Sequence, residues 1–179
     1  MPFDAPHIHL MINHFPIILG VVGCVAAIIA LVTGRRDAWL YAVITLTLAA
    51  LTVVPVHLTG DSAADVMKHR WYVVRESIER HDDMSGITMW VMLIAGAASA
   101  YAWWRMVWRG DKTPSPAWLR VFIVVAALGG TGLGAYTAYL GGEIVYGSPR
   151  LLNSPIAPTA SSPASGPGVS VPSSGTVRP

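Results

Sequence analysis

The sequence predicts an all-α integral membrane protein, a four-helix bundle running up-down-up-down with a tail of disordered-type composition behind it. Three observations lead there. Only 12% of the 179 residues are charged and 53% are hydrophobic, whereas a soluble domain carries about 25% charged residues. Four long runs contain no Asp, Glu, Lys or Arg. Beyond Asn153 the chain turns to Pro, Ser, Ala and Gly, a composition that cannot bury enough apolar surface to fold alone.

The first uncharged run is Phe15 to Thr33, closed by Gly34-Arg35-Arg36. The second is Ala38 to Thr59, the third Met84 to Trp104, and the fourth Val121 to Gly141. Each approaches the ~20 residues that a helix needs to cross ~30 Å of hydrocarbon. Backbone groups in lipid must pair within the segment, so these runs are helices. With interfacial ends added, the transmembrane domain is 1–153, with helices at about 15–33, 38–59, 84–108 and 118–141, and the tail is 154–179. Trp39, Tyr41, Trp90, Trp103, Trp104, Trp108 and Trp118 fall near run ends, where aromatic anchors sit. Val21-Val22-Gly23-Cys24 resembles a lipoprotein cleavage box, but no Lys or Arg precedes it and the apolar run continues to Val32. It is therefore read as part of a span.

The short loops set the orientation. Arg35, Arg36, Arg105, Arg109, Lys112 and Arg120 face only Asp37 and Asp111 on one side. The positive-inside rule makes that side cytoplasmic and puts both termini outside, in the periplasm if the cell is Gram-negative. The protein is expected to be multi-pass in a bacterial inner membrane. The outer connection, Asp61 to Asp83, is expected to form a periplasmic helix capped by Asp61 or Ser62. Val66, Trp71, Val73, Val74 and Ile78 would lend it an apolar face for the membrane or a partner.

A net charge of +2 gives no case for nucleic acid, and the single cysteine, Cys24, excludes an intrachain disulfide. Histidine is the informative residue. His14 precedes the first run, His57 ends the second, and His81 lies one turn before the third. Up-down connectivity brings all three to the outer interface, with His9 just beyond His14 and Glu143 at the same level. Ionisable groups at membrane depth are costly and usually functional. His7 and His69 lie in polar sequence and read as interfacial residues. Helix bundles build cofactor sites from side chains on facing helices. A neutral imidazole is a strong axial ligand for haem iron.

The stretch His9-Leu10-Met11-Ile12-Asn13-His14-Phe15-Pro16-Ile17 resembles the opening of a family of small bacterial membrane proteins catalogued as domain of unknown function 2231. The resemblance continues at Leu58-Thr59-Gly60, at His81, and at Gly141-Gly142-Glu143-Ile144-Val145-Tyr146, and so covers roughly residues 9–147. It implies a four-helix membrane architecture and marks His9, His14, His81, Gly142 and Glu143. Leu10 stands where the family favours proline, and His57 has no matched position.

The leading expectation is a b-type cytochrome, or a haem-binding subunit of a respiratory or photosynthetic complex, carrying one or two haems b. It would be an electron-transfer subunit rather than a stand-alone enzyme. No Cys-x-x-Cys-His motif exists, so the haem would be non-covalent. The expected axial pair is His14 with His81, while His9 and His57 would serve a second haem or tune the first. A periplasmic cytochrome c or quinone would exchange electrons there. The first alternative is a zinc or copper site of His14, His57, His81 and Glu143, in a sensor or metal-handling protein. The second is a cofactor-free structural subunit of a larger membrane complex.

Overall fold

The computed structural model describes residues 4–69, 74–110 and 115–146. The chain divides into units 1–148 and 149–179, and every described residue belongs to the first. The tail 154–179 lies outside the described residues, as do Trp71 and Val73 of the connector.

Five helices account for almost all of the described chain: α1 (Ala5–Ile12), α2 (His14–Thr33), α3 (Arg36–Met67), α4 (Arg75–Val107) and α5 (Ala117–Tyr146). No strand occurs among the described residues. Four segments are long and apolar enough to cross a membrane: Ala5–Thr33, Arg36–Met67, Arg75–Val107 and Ala117–Tyr146.

The sequence reading missed α1. Asp4 caps it by accepting from the His7 backbone N–H, and Pro6 sits in its first turn. An acidic cap followed by an early proline is a recognised helix start. It escaped notice because the apolar run begins later, at Phe15. At the far end of α2, Gly34 adopts φ 68°, and its N–H bonds the Ala30 carbonyl. This left-handed cap suits glycine, which has no Cβ to clash.

The connector also differs from expectation. Asp61 and Ser62 do not cap a new helix. They lie inside α3, where the Ser62 hydroxyl turns back to the Leu58 carbonyl at 3.5 Å. Where a helix leaves lipid nothing forces it to stop, because its backbone bonds remain satisfied in water. Val66 is therefore part of α3, and Ile78 part of α4, where it is buried.

Around the bundle α2 packs on α3, α3 on α4, α4 on α5, and α5 returns to α2, while α1 lies against α3. Arg36, at the start of α3, donates to the Met106 carbonyl at the end of α4 at 3.0 Å. His57, late in α3, meets Ser85, early in α4.

The buried faces are made of small residues. In α2 they are Gly20, Gly23, Cys24, Ala27 and Ala30, together with Pro16. The large apolar side chains point outward: Val32 is 80% exposed, Leu51 65% and Val125 62%. A soluble protein would reverse this pattern. Helices in lipid associate through close packing of small residues, since lipid already solvates the large ones. The larger buried side chains, Trp39, Val43, Met106 and Ile123, gather at the end marked by Arg36. Trp39 is thus a core residue rather than an interfacial anchor, whereas Trp90, Trp108 and Trp118 are exposed.

Glycine decides how near α3 and α4 approach. A Cβ added at Gly96 would collide with that of Ala50. Gly129 faces open space. Gly96→Ala is expected to destabilise the detergent-solubilised protein by about 1–3 kcal/mol, the range for overpacking. Gly129→Ala should leave the thermal midpoint unchanged, and a thermal unfolding series compares the two.

Candidate functional site

Each candidate histidine is held by one ring nitrogen. His9 Nδ1 lies 3.1 Å from the Val56 carbonyl oxygen of α3 and 3.4 Å from Thr59 Oγ1. His81 Nδ1 lies 3.0 Å from the Thr137 carbonyl oxygen of α5. A carbonyl only accepts, so both rings donate from Nδ1–H. In the neutral imidazole the proton is then on Nδ1, and Nε2 keeps its lone pair.

Two glycines make these approaches possible. A Cβ on Gly60 would come 3.2 Å from His9 Cε1, and one on Gly141 would come 3.2 Å from His81 Cε1. A Cβ at either position would be tight enough that the ring must give by a few tenths of an ångström. Thr137 is fixed in turn, since its hydroxyl bonds the Leu133 carbonyl at 2.9 Å and lies 2.9 Å from the Thr88 hydroxyl.

His57 is half-buried, and its Nδ1 lies 3.1 Å from Ser85 Oγ. The Ser85 hydroxyl already donates to the Asp82 carbonyl at 2.9 Å. His57 is therefore the donor, and its Nε2 also keeps a lone pair.

The structure treats His14 differently. Its side chain is exposed, and Nδ1 bonds the Leu10 carbonyl one turn back at 3.1 Å. Of the expected pair, His81 reaches across to α5, whereas His14 bonds four residues back along the chain; His9 is the N-terminal histidine that reaches another helix, α3. Asn13, between α1 and α2, keeps helical dihedrals of φ −63° and ψ −20°, and α1 lies against α3. Depth alone, which is what the sequence offers, cannot tell which residue faces inward.

Glu143 is half-buried and accepts from the Tyr139 hydroxyl on its own helix at 3.0 Å. Gly142 faces open space. Among the described residues no group of three or more His, Cys, Asp and Glu side chains is placed to hold a metal ion. The set His14, His57, His81 and Glu143 is not assembled into one.

A haem has been set against this geometry. A cavity of about 10 Å³ lies between Gly20, Leu46, Met92, Ala127, Gly130 and Thr131. That is room for roughly one water molecule, so the middle of the bundle takes no macrocycle. The donor chemistry at the histidine end, imidazoles with Nε2 unspent, is of a kind that can ligate iron. Two neutral imidazoles, each with Nδ1–H held by a carbonyl and Nε2 bare, are oriented as metal-bound histidines usually are. The sequence signal that would have found the support for these rings is Gly60 and Gly141, each placed where an imidazole packs.

A nitrogen-15 NMR correlation spectrum of the histidine rings checks this assignment. His9 and His81 are expected to appear as the Nδ1-protonated tautomer. Gly60→Ala should shift the His9 signals and leave those of His81, and Gly141→Ala should do the reverse.

Comparison with family models, with curated proteins and with solved structures returns no match.

Proposed function

We propose that this chain is a membrane haem protein that carries electrons, with His9 and His81 as the axial ligands of one b-type haem. The observation that carries the reading is the pair of imidazoles on different helices. Each is tied by Nδ1–H to a backbone carbonyl of a neighbouring helix and leaves Nε2 bare. Oxygen activation would need an open coordination position, and two protein ligands on one iron leave none.

The haem, when bound, would supply one-electron chemistry. The chain's own residues do the rest. The Val56 and Thr137 carbonyls hold the rings in one tautomer and one rotation. Gly60 and Gly141 let the rings reach those carbonyls. The Thr88–Thr137 hydroxyl contact fixes the helix behind His81.

The arrangement of the spans belongs to the same proposal. Arg36 beside Met106 and His57 beside Ser85 support an up-down-up-down course. The basic residues near Arg36 then favour that end as cytoplasmic, with both termini and the histidines on the outer, periplasmic face. A site there suits exchange with a periplasmic cytochrome c or a quinone, within a larger respiratory or photosynthetic complex. The resemblance to domain of unknown function 2231 is compatible, because its motifs contain His9, Gly60, His81 and Gly141.

Absorption spectra of the detergent-purified protein, oxidised and then dithionite-reduced, test the reading. A sharp reduced α-band of low-spin haem b is expected. His9→Ala and His81→Ala should each abolish the low-spin band, and His14→Ala should keep it. A protein that is colourless when purified from haem-replete cells sinks the proposal and leaves a cofactor-free structural subunit.

A further inference from the structure

The two histidines are held in the same way, residue for residue. His9 donates to Val56 and packs on Gly60, one helical turn further along α3. His81 donates to Thr137 and packs on Gly141, one turn further along α5.

The correspondence extends through the bundle. The buried residues of α2 are Pro16, Gly20, Gly23, Cys24, Ala27 and Ala30. Shifted along the chain by the separation of His9 from His81, they become Thr88, Met92, Ala95, Gly96, Ser99 and Ala102. All six are buried in α4. Helices α3 and α5 match at the separation of Val56 from Thr137, which is also that of Gly60 from Gly141. Buried Ala42, Val43, Leu46 and Ala49 become buried Ile123, Val124, Ala127 and Gly130, while Trp39, Thr45, Ala50, Val53 and Ala63 fall on the partly exposed Arg120, Ala126, Thr131, Gly134 and Ile144. The contacts agree. In a four-membered ring, exchanging α2 with α4 and α3 with α5 maps each neighbouring pair onto another neighbouring pair. That exchange is a two-fold rotation, with an axis running along the bundle.

The geometry points to a binding site on this axis. The chain is two copies of one helix pair, and His9 and His81 are equivalent ligands presented from opposite sides to a single metal-centred group. This rests on the reading of the two histidines as ligands of one group. It adds that the site is two-faced, that it holds one such group per chain, and that each half of the chain supplies one ligand.

The halves have diverged around the site, which hides the repeat from a letter-by-letter comparison. Ser85 corresponds to Asn13, and its partner His57 corresponds to Ala138. Asn13 Oδ1 is accordingly buried without a hydrogen-bond partner. His14 corresponds to Gly86, and neither belongs to the equivalent set.

The test uses the full chain with Cys24→Ala as background. A His9→Cys/His81→Cys double variant is treated with dibromobimane, which fluoresces strongly once it bridges two neighbouring thiols. An intramolecular bridge is expected, and none in His14→Cys/His81→Cys. In the holoprotein, one haem per chain is expected. Free imidazole should restore the low-spin spectrum to His9→Gly and His81→Gly alike. Should the double-cysteine variant fail size exclusion, cupric ion alone is titrated into the wild type. Its electron paramagnetic resonance spectrum should then show two equivalent nitrogens, reduced to one in either alanine variant. A bridge in a colourless protein keeps the equivalent pair and sinks the haem reading. A haem that needs His81 but ignores His9 keeps the haem and overturns the equivalence. Absence of a bridge in a folded double variant overturns the site on the axis.

Discussion

The close approach of helices across faces built from glycine, alanine and serine is the constraint on which the rest of this structure depends. Gly96 of α4 leaves no room even for a methyl group beside Ala50 of α3. Gly23 of α2 lies where a Cβ would meet the Leu46 side chain at 2.8 Å. Such contacts replace the hydrophobic effect, which gives helices in lipid little reason to associate. The ring of helices follows from them, and so does the position of every backbone carbonyl that reaches across an interface.

The histidines exploit that closeness. A ring nitrogen reaches a carbonyl on a neighbouring helix only when the helix face beside that carbonyl is bare. Gly60 and Gly141 provide the bare face. The carbonyl then does two things at once. It fixes which nitrogen carries the proton and it fixes the direction of the other. A structural role would be served by the Nδ1 bond alone. Both rings reach a carbonyl of a neighbouring helix through Nδ1 and keep Nε2 unspent, which supports the proposed ligand role. His14 and His69 make the comparable bond to a carbonyl four residues back along the chain, and both are exposed.

The repetition of the two halves gives this pairing a geometric origin. When equal helix pairs close into a ring, residues at matching positions are brought face to face across the axis. A ligand centred there meets two like groups without either half having to evolve a new one. Divergence at Asn13 and Ser85 then makes the surroundings of the two rings unequal, which would give a group bound as proposed a preferred orientation.

The sequence by itself determined the spans. Uncharged runs of membrane length can only be helices, because lipid offers their backbone no other partner. It also placed the histidines at the run ends and put Gly60 and Gly141 within recognisable motifs. What it could not determine was the inward face. His9 and His14 lie at similar depth, and which of them reaches a neighbouring helix depends on how α1 lies against α3. The fate of Trp39 shows the same limit. Its place at a run end suggested an anchor, yet packing against α4 and α5 made it core. The internal repeat was also hidden. Its signature is a set of buried positions rather than shared letters, and burial exists only once the helices have packed.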